Sequence, residues 1–140
     1  MSAVFVDTSA IYAFLVPEND RHKEAKALVE SLRASEPKLV SSSYVLQETV
    51  ALLQARIGVP AVRAFHQSFA PALEVEWIDG TLYQRAMAAL LAAGKRGVSL
   101  TDWTSFEVMR DRGIEQAFAF DGHFDEQGFR VLSESQPYRP

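Results

Sequence analysis

The run Val4-Phe5-Val6 is apolar at every position and ends at an acid, Asp7. A short apolar run of this kind reads as a buried strand. It passes at once into Ala10-Ile11-Tyr12-Ala13-Phe14-Leu15, which is apolar enough for a buried helix. A buried strand feeding a helix across one acid points to an α/β fold. In open α/β sheets, ligands gather beyond the carboxyl ends of the strands. Asp7 is therefore either the first wall of a site or only the cap of the helix, accepting from its first free amides.

The rest of the chain keeps the alternation. Strand 3–6 leads into a helix over 8–16, broken at Pro17-Glu18-Asn19-Asp20. Asn19 or Asp20 is expected to cap a second helix through about Leu32, with Ala25, Leu28, Val29 and Leu32 as its buried stripe. Leu39-Val40 makes a short strand, and Ser41-Ser42-Ser43 offers caps for a helix carrying Leu46, Val50, Leu53 and Ile57 and ending at Gly58. Val59 to about Phe69 predicts another helix with Val62, Phe65 and Phe69 inward. Leu73 to Ile78 alternates as a strand, with Leu73, Val75 and Trp77 inward against Glu74 and Glu76, and with Ile78 as a further residue able to face in. An Ala-rich helix follows over 82–93, then the basic loop Lys95-Arg96-Gly97, then a helix from Ser99 to Arg112. Ala117 to Phe120 is a strand, Asp121-Gly122 a turn, and Phe129 to Leu132 a last strand. Strands alternating with helices predict a parallel α/β sandwich. With 140 residues and no domain-scale linker, one domain over 1–133 is expected, followed by a loose tail over 134–140.

Composition removes several classes. There is no cysteine, which excludes disulfides and thiolate metal sites and fits a cytoplasmic protein. No stretch approaches the roughly 18 unbroken apolar residues of a membrane span. The N-terminus lacks the basic start of a signal peptide. The net charge of −4 argues against an overall basic footprint but leaves room for a local basic patch.

The acids are the informative residues. Glu48 lies on the third helix with Tyr44, Val45, Leu52 and Ala55 within about 60° of it. The Leu46-Val50-Leu53 stripe occupies the other side. Glu48 thus sits in an apolar column, where a carboxylate must be protonated, paired or bound to a metal, unless it reaches solvent at an edge. Ser99-Leu100-Thr101-Asp102 resembles a capping box, yet Asp102 shares a helix face with Phe106 and Met109. Asp121 ends an apolar strand and also begins an Asp-Gly turn pair. Asp125 reads as a solvated loop acid. In a parallel sheet, strand ends and helix starts share one rim, so Asp7, Asp102 and Asp121 are expected to converge there, with Glu48 in reach. So many carboxylates cannot all stay ionised without cations, and hard oxygen donors suit Mg²⁺ or Mn²⁺. Such acid clusters commonly drive phosphodiester hydrolysis. Ser9 is placed to hold a water of such a cation, or to serve only as a helix-start hydroxyl.

These motifs resemble the PIN domain, most closely the VapC toxins of bacterial toxin–antitoxin pairs. The matching segments are Val6-Asp7-Thr8-Ser9-Ala10, Gln47-Glu48 within Tyr44-Val45-Leu46-Gln47-Glu48-Thr49, Leu100-Thr101-Asp102, and Phe120-Asp121-Gly122-His123-Phe124 followed by Gly128-Phe129. The resemblance implies a Mg²⁺- or Mn²⁺-dependent ribonuclease on a three-layer, Rossmann-like and mostly parallel sheet. It gives Asp7, Glu48, Asp102 and Asp121 the acidic roles, with Asp7 and Asp102 as the firmest metal ligands. Asp125 matches an acid that only some members carry. Many members have Thr or Ser two residues before the last acid, where this chain has Ala119. The resemblance also implies an RNA substrate, a homodimer and a cognate antitoxin whose C-terminal segment lies across the site.

For RNA contact, Lys95 and Arg96 are the leading candidates, because they precede Asp102 by a few residues; a solvated loop is the alternative. Arg21, His22, Lys23 and Lys26 read as a solvated helix face. Two other classes stay open: a PIN-like binding module without activity, and a receiver-type phosphoryl-transfer protein, although no Lys lies near Asp7 or Asp121 in sequence. Within the nuclease reading, a housekeeping RNA-processing enzyme is the alternative to a toxin.

Overall fold

Five strands, β1 (Ala3–Val6), β2 (Lys38–Ser42), β3 (Glu74–Glu76), β4 (Gln116–Phe118) and β5 (Arg130–Val131), form one sheet in the order β3-β2-β1-β4-β5. Every pairing is parallel. The computed structural model describes residues 2–140. The apolar run that opens the chain is the central strand: Val4, Phe5 and Val6 are fully buried, and Phe5 pairs with Val40 on one side and Ala117 on the other. The Asp7 amide donates to the Phe118 carbonyl at 3.0 Å, so the β1–β4 ladder runs up to the acid.

From β1 the chain first builds outward through β2 and β3. It then returns to lay β4 and β5 on the other side of β1. The strand order therefore reverses between β1 and β4. That is where an open α/β sheet leaves a crevice at its carboxyl edge, and these two strands lead into Asp7 and Asp121.

Seven helices flank the sheet: α1 (Thr8–Leu15), α2 (His22–Ser35), α3 (Ser43–Arg56), α4 (Val59–Ala64), α5 (Gly80–Ala93), α6 (Leu100–Arg112) and α7 (His123–Glu126). Helix α1 packs on α2 and α3, α3 also packs on α4 and α6, and α5 packs on α6. The expected α2 stripe, Ala25, Leu28, Val29 and Leu32, is buried. Ser42 caps α3 by accepting from the Val45 amide, and Ser99 with Asp102 forms a complete capping box on α6. Helix α6 ends at Gly113, whose φ of 66° is the left-handed conformation glycine adopts without a Cβ penalty.

Several local expectations need correction. Neither Asn19 nor Asp20 caps α2. The Asn19 carboxamide instead accepts from the Arg21 amide two residues on, a turn that delays the helix to His22. The helix from Val59 stops at Ala64 and continues as a π-helical turn over Phe65–Phe69 and a 3₁₀ turn over Ala70–Ala72. Pro71 cannot donate into a regular ladder, and the wider turn lets Phe69 meet Phe14 at 5.6 Å between centroids. Trp77 is 71% exposed rather than inward, because β3 ends one residue earlier. Ile78 packs on the core, the inward position that the sequence also allowed it, with its amide held by the Ser43 hydroxyl at 2.9 Å. Helix α7 is too short to announce itself as a period. Its Phe124 is fully buried, 5.1 Å from the Phe106 ring and 6.2 Å from Phe5.

The tail has no helix or strand, and hydrogen bonds join it to the sheet. Gln116 donates to the Arg139 carbonyl at 2.7 Å and accepts from the Arg139 amide at 3.1 Å. Arg130 donates to the Pro137 carbonyl, and Tyr138 packs on the core. Among the described residues, no helix is long and apolar enough to cross a membrane.

Candidate metal centre

Asp7, Asp102 and Asp121 each offer a carboxylate oxygen within 4.8 Å of the others'. Their convergence follows from local chemistry repeated at three places, because each acid begins a helix or the turn before one. At the start of α1, Asp7 accepts through Oδ2 from the Ser9 amide at 3.1 Å and the Ser9 hydroxyl at 2.6 Å. At the start of α6, Asp102 accepts through Oδ2 from the Ser99 amide at 3.0 Å. Before α7, Asp121 accepts through Oδ1 from the His123 amide at 3.0 Å. Capping and membership of the carboxylate cluster are therefore not alternatives here. One oxygen of each carboxylate holds its rotamer through a local hydrogen bond, and all three carboxylates line the shared pocket.

The pocket has a volume of about 390 Å³. Besides the three aspartates it is walled by Glu48, Ser9, Tyr12, Arg21 and Arg56. Glu48 is half-buried on the second turn of α3 and stands outside the tight triad. Two buried hydroxyls set its helix against α1. Thr8 donates to the Val45 carbonyl at 3.3 Å, and Thr49 donates to Thr8 at 3.1 Å. Ser41 ties β2 to the end of β1 through the Val6 carbonyl at 2.8 Å.

The electrostatics are those of too many acids in one place. Burial pushes the Asp7 carboxyl up to about 7, against the pull of the Ser9 hydroxyl and amide, and the charges of Asp121 and Asp102 push the same way. Burial also raises Glu48, opposed by Thr8 and reinforced by Asp102 and Asp121. Asp102 is raised by burial, with the Ser99 amide pulling it down and Asp121 pushing it up. The second oxygen of Asp7, Oδ1, is buried and has no hydrogen-bond partner among the described residues. A buried polar atom left unpaired is costly, and a buried carboxylate clustered with two further carboxylates suits a hard divalent cation. The donor set is all oxygen, with no cysteine in the chain. The residues present thus fit Mg²⁺ or Mn²⁺ better than a thiophilic metal.

Other expected residues fall differently. Ser9 is wholly engaged in positioning: its hydroxyl donates to Asp7 and accepts from the Phe120 amide at 2.9 Å, locking the end of β1 to the approach to Asp121. Ala119 is buried and supplies no hydroxyl. Asp125 is exposed on α7 and does not line the pocket, because its helix turns Phe124 inward and the next residue outward. Lys95 and Arg96 are exposed in the loop between α5 and α6 and do not line the pocket either. The cations that do line it are Arg21, which in sequence belongs to a solvated helix face, and Arg56, which belongs to no motif. Neither carries a local signal, since each reaches the site only through how α2 and α3 are laid beside α1. His123 lines the pocket with a buried, unbonded Nδ1.

A parallel sheet whose carboxyl edge gathers acids in this order defines a PIN domain, and the chain belongs to that family, whose profile matches residues 4–130. Within the family it is similar to the 23S rRNA-specific endonuclease VapC20 of Mycobacterium tuberculosis, 39% identical over 127 residues, covering 90% of this chain and 95% of that protein. The crystal structure of M. tuberculosis VapC20, described as a Sarcin-Ricin loop cleaving toxin, superposes with a TM-score of 0.78 over the same shares of the two chains. Both likenesses make the chain a VapC-type PIN domain. More distant structures share the fold. FitAcB of Neisseria gonorrhoeae has 16% identity and a TM-score of 0.65, covering 91% of this chain and 95% of that one. DNA-bound VapBC of Salmonella typhimurium has 18% identity and a TM-score of 0.67, covering 94% and 97%.

Proposed function

We propose that the chain is a metal-dependent endoribonuclease and the toxin of a VapC-type toxin–antitoxin pair. The observation that carries the metal site is Asp7: a buried carboxylate with one orphaned oxygen, within 4.8 Å of ligand oxygens of Asp102 and Asp121. In this reading Asp7, Asp102 and Asp121 hold Mg²⁺ or Mn²⁺, and Glu48 completes the acidic wall. When bound, the metal supplies an activated water and neutralises charge on the phosphodiester being cleaved. The chain's own residues do the positioning. Ser9 orients Asp7, the capping box orients Asp102, and the turn into α7 orients Asp121. Burial favours the protonated form of Asp7, so cation binding and release of its proton are coupled.

The substrate class is RNA. The VapC20 relative, named for 23S rRNA and described as cleaving the Sarcin-Ricin loop, makes a structured rRNA loop the first substrate to test. A cognate antitoxin as partner, a homodimer and a cytoplasmic site of action belong to the same proposal. The test is cleavage of total RNA and of a hairpin carrying the Sarcin-Ricin loop, with Mg²⁺, with Mn²⁺ and with EDTA, for wild type, Asp7→Asn and Asp102→Asn. Cleavage that requires metal and is lost in both variants supports the reading. Cleavage that survives EDTA, or survives both substitutions, overturns it.

A further inference from the structure

A pocket walled by four acids must still receive a polyanion, so its cations matter, and two are built alike. The Arg21 guanidinium lies over the Phe120 ring at 5.4 Å, and the Arg56 guanidinium over the Tyr12 ring at 5.5 Å. Both arginines and both rings line the acidic pocket. An arginine resting on an aromatic face has its plane fixed and its N–H edge free, which is the presentation that suits a phosphate.

Arg56 has no ion pair among the described residues, although it shares a pocket with four carboxylates. Arg21 shares its charge with Glu24 at 2.9 Å and is otherwise more than half exposed. Glu48, Leu52 and Arg56 follow one another at i, i+4 and i+8 on α3, and all three line the pocket. Eight residues at 1.5 Å rise put the Arg56 backbone about 12 Å along the helix from Glu48. That places it beside the acids rather than among them. Arg21 stands with Phe120, the residue before Asp121. A second groove shares Tyr12, Asn19 and Arg56 with the first and is lined also by Val16 and the half-exposed Ile57. Glu18 and Asp20 line that groove as well, so its only cation is Arg56.

Resting on the ribonuclease reading above, we infer that Arg56 and Arg21, each backed by an aromatic ring, hold the RNA phosphates flanking the one that is cleaved, with the strand leaving past Arg56. The acids at Glu18 and Asp20 limit that exit to a single phosphate contact. Lys95 and Arg96 take no part.

The test uses the full chain with Mn²⁺ and the Sarcin-Ricin hairpin as probe, reading KM and kcat against salt for Arg21→Gln, Arg56→Gln, Arg56→Lys, and a Lys95→Gln/Arg96→Gln pair. Each Arg→Gln change is expected to raise KM about tenfold with kcat within about twofold, as loss of one charge-assisted contact does. The slope of log(1/KM) on log salt should fall by about 0.7 per lost phosphate contact on a single strand. Arg56→Lys should recover the salt slope but not the full KM, because lysine keeps the charge and loses the fixed planar fork. Unchanged KM and slope in both Gln variants overturn the inference while leaving the nuclease reading intact. So does an equal effect from the Lys95/Arg96 pair, which would mark it as net charge alone. A fall in kcat without a rise in KM also overturns it. Failure of the wild type to cleave either the hairpin or total RNA overturns the nuclease reading, and the inference with it. Thermal melting with and without Mn²⁺ should be the same for the Arg variants as for wild type, showing that fold and metal centre are untouched.

Discussion

Asp7→Asn should make the metal-free protein more stable at neutral pH while destroying its capacity to be stabilised by metal. The carboxyl is pushed from 3.8 to about 7 by burial first, with Asp121 and Asp102 adding to it. The unfolded chain releases this proton near its ordinary value, and the folded chain keeps it until about 7. Stability from this group is therefore full below pH 4 and is lost progressively as the pH rises through 7. The interval between the two values, at about 1.4 kcal/mol per unit, corresponds to about 4 kcal/mol in the absence of metal. Asparagine carries no charge to desolvate. Its carbonyl keeps the two bonds from Ser9, and its amide puts a donor at the orphaned Oδ1 position in a pocket shared with Asp102 and Asp121. In EDTA at pH 8 the variant should gain about 2–4 kcal/mol, a rise in Tm on the order of 10 °C for a chain this size. At pH 4 the two proteins should melt together. Glu74 and Asp111 are shifted the other way by their arginine partners. Their effect lies in the acid range and cancels in the difference between the two proteins. With saturating Mn²⁺ the order should reverse, because only the wild type has a full ligand set. The assay is thermal unfolding by circular dichroism from pH 4 to 9, with and without EDTA. A wild-type Tm that is flat or rising between pH 5 and 8 in EDTA, or an asparagine variant no more stable at pH 8, would refute the reasoning.

Ser9→Ala should weaken Mn²⁺ binding by about 10–100-fold, as loss of an outer hydrogen bond to a ligand typically does. Isothermal titration would detect this, and an unchanged affinity would show that Asp7 needs no orienting hydroxyl. Phe124→Ala should cost about 3–5 kcal/mol of stability by opening a cavity between Phe5, Phe106 and Phe129; a loss under 1 kcal/mol in urea unfolding would mean α7 is not an integral part of the core. Iodide should quench roughly half of the tryptophan emission in the isolated chain, because Trp77 is 71% exposed and Trp103 only 7%. Trp77→Phe should remove the quenchable part, and a residual accessible fraction would contradict the burial of Trp103.

The sequence by itself determined the class of fold and the identity of the acids. Val4-Phe5-Val6 has no polar position to offer solvent, so it had to be central, and Asp7 had to lie at its end. The spacing of Ser99 and Asp102 specified a capping box whatever the tertiary context, because the contacts are within one turn. The order of the four acidic motifs along the chain carried the family resemblance. What it left open was the relation between elements far apart in sequence. Whether Asp102 only capped a helix or also joined the other acids was undecidable locally, and it does cap α6 while standing in the carboxylate cluster, because a carboxylate has two oxygens and the capping box uses only one. Arg21 and Arg56 have no local mark that places them at the pocket. They reach the pocket because Thr8 and Thr49 hold α3 against α1 and because Asn19 turns the chain ahead of α2. Asp125, Lys95 and Arg96 lie near the acids in sequence and yet miss the pocket, since proximity along a chain does not fix the direction of a side chain. Trp77 points outward because a three-residue strand ended before its alternation reached it. Direction is set by packing of one layer on another, and those contacts are long-range, so only the tertiary structure could decide them.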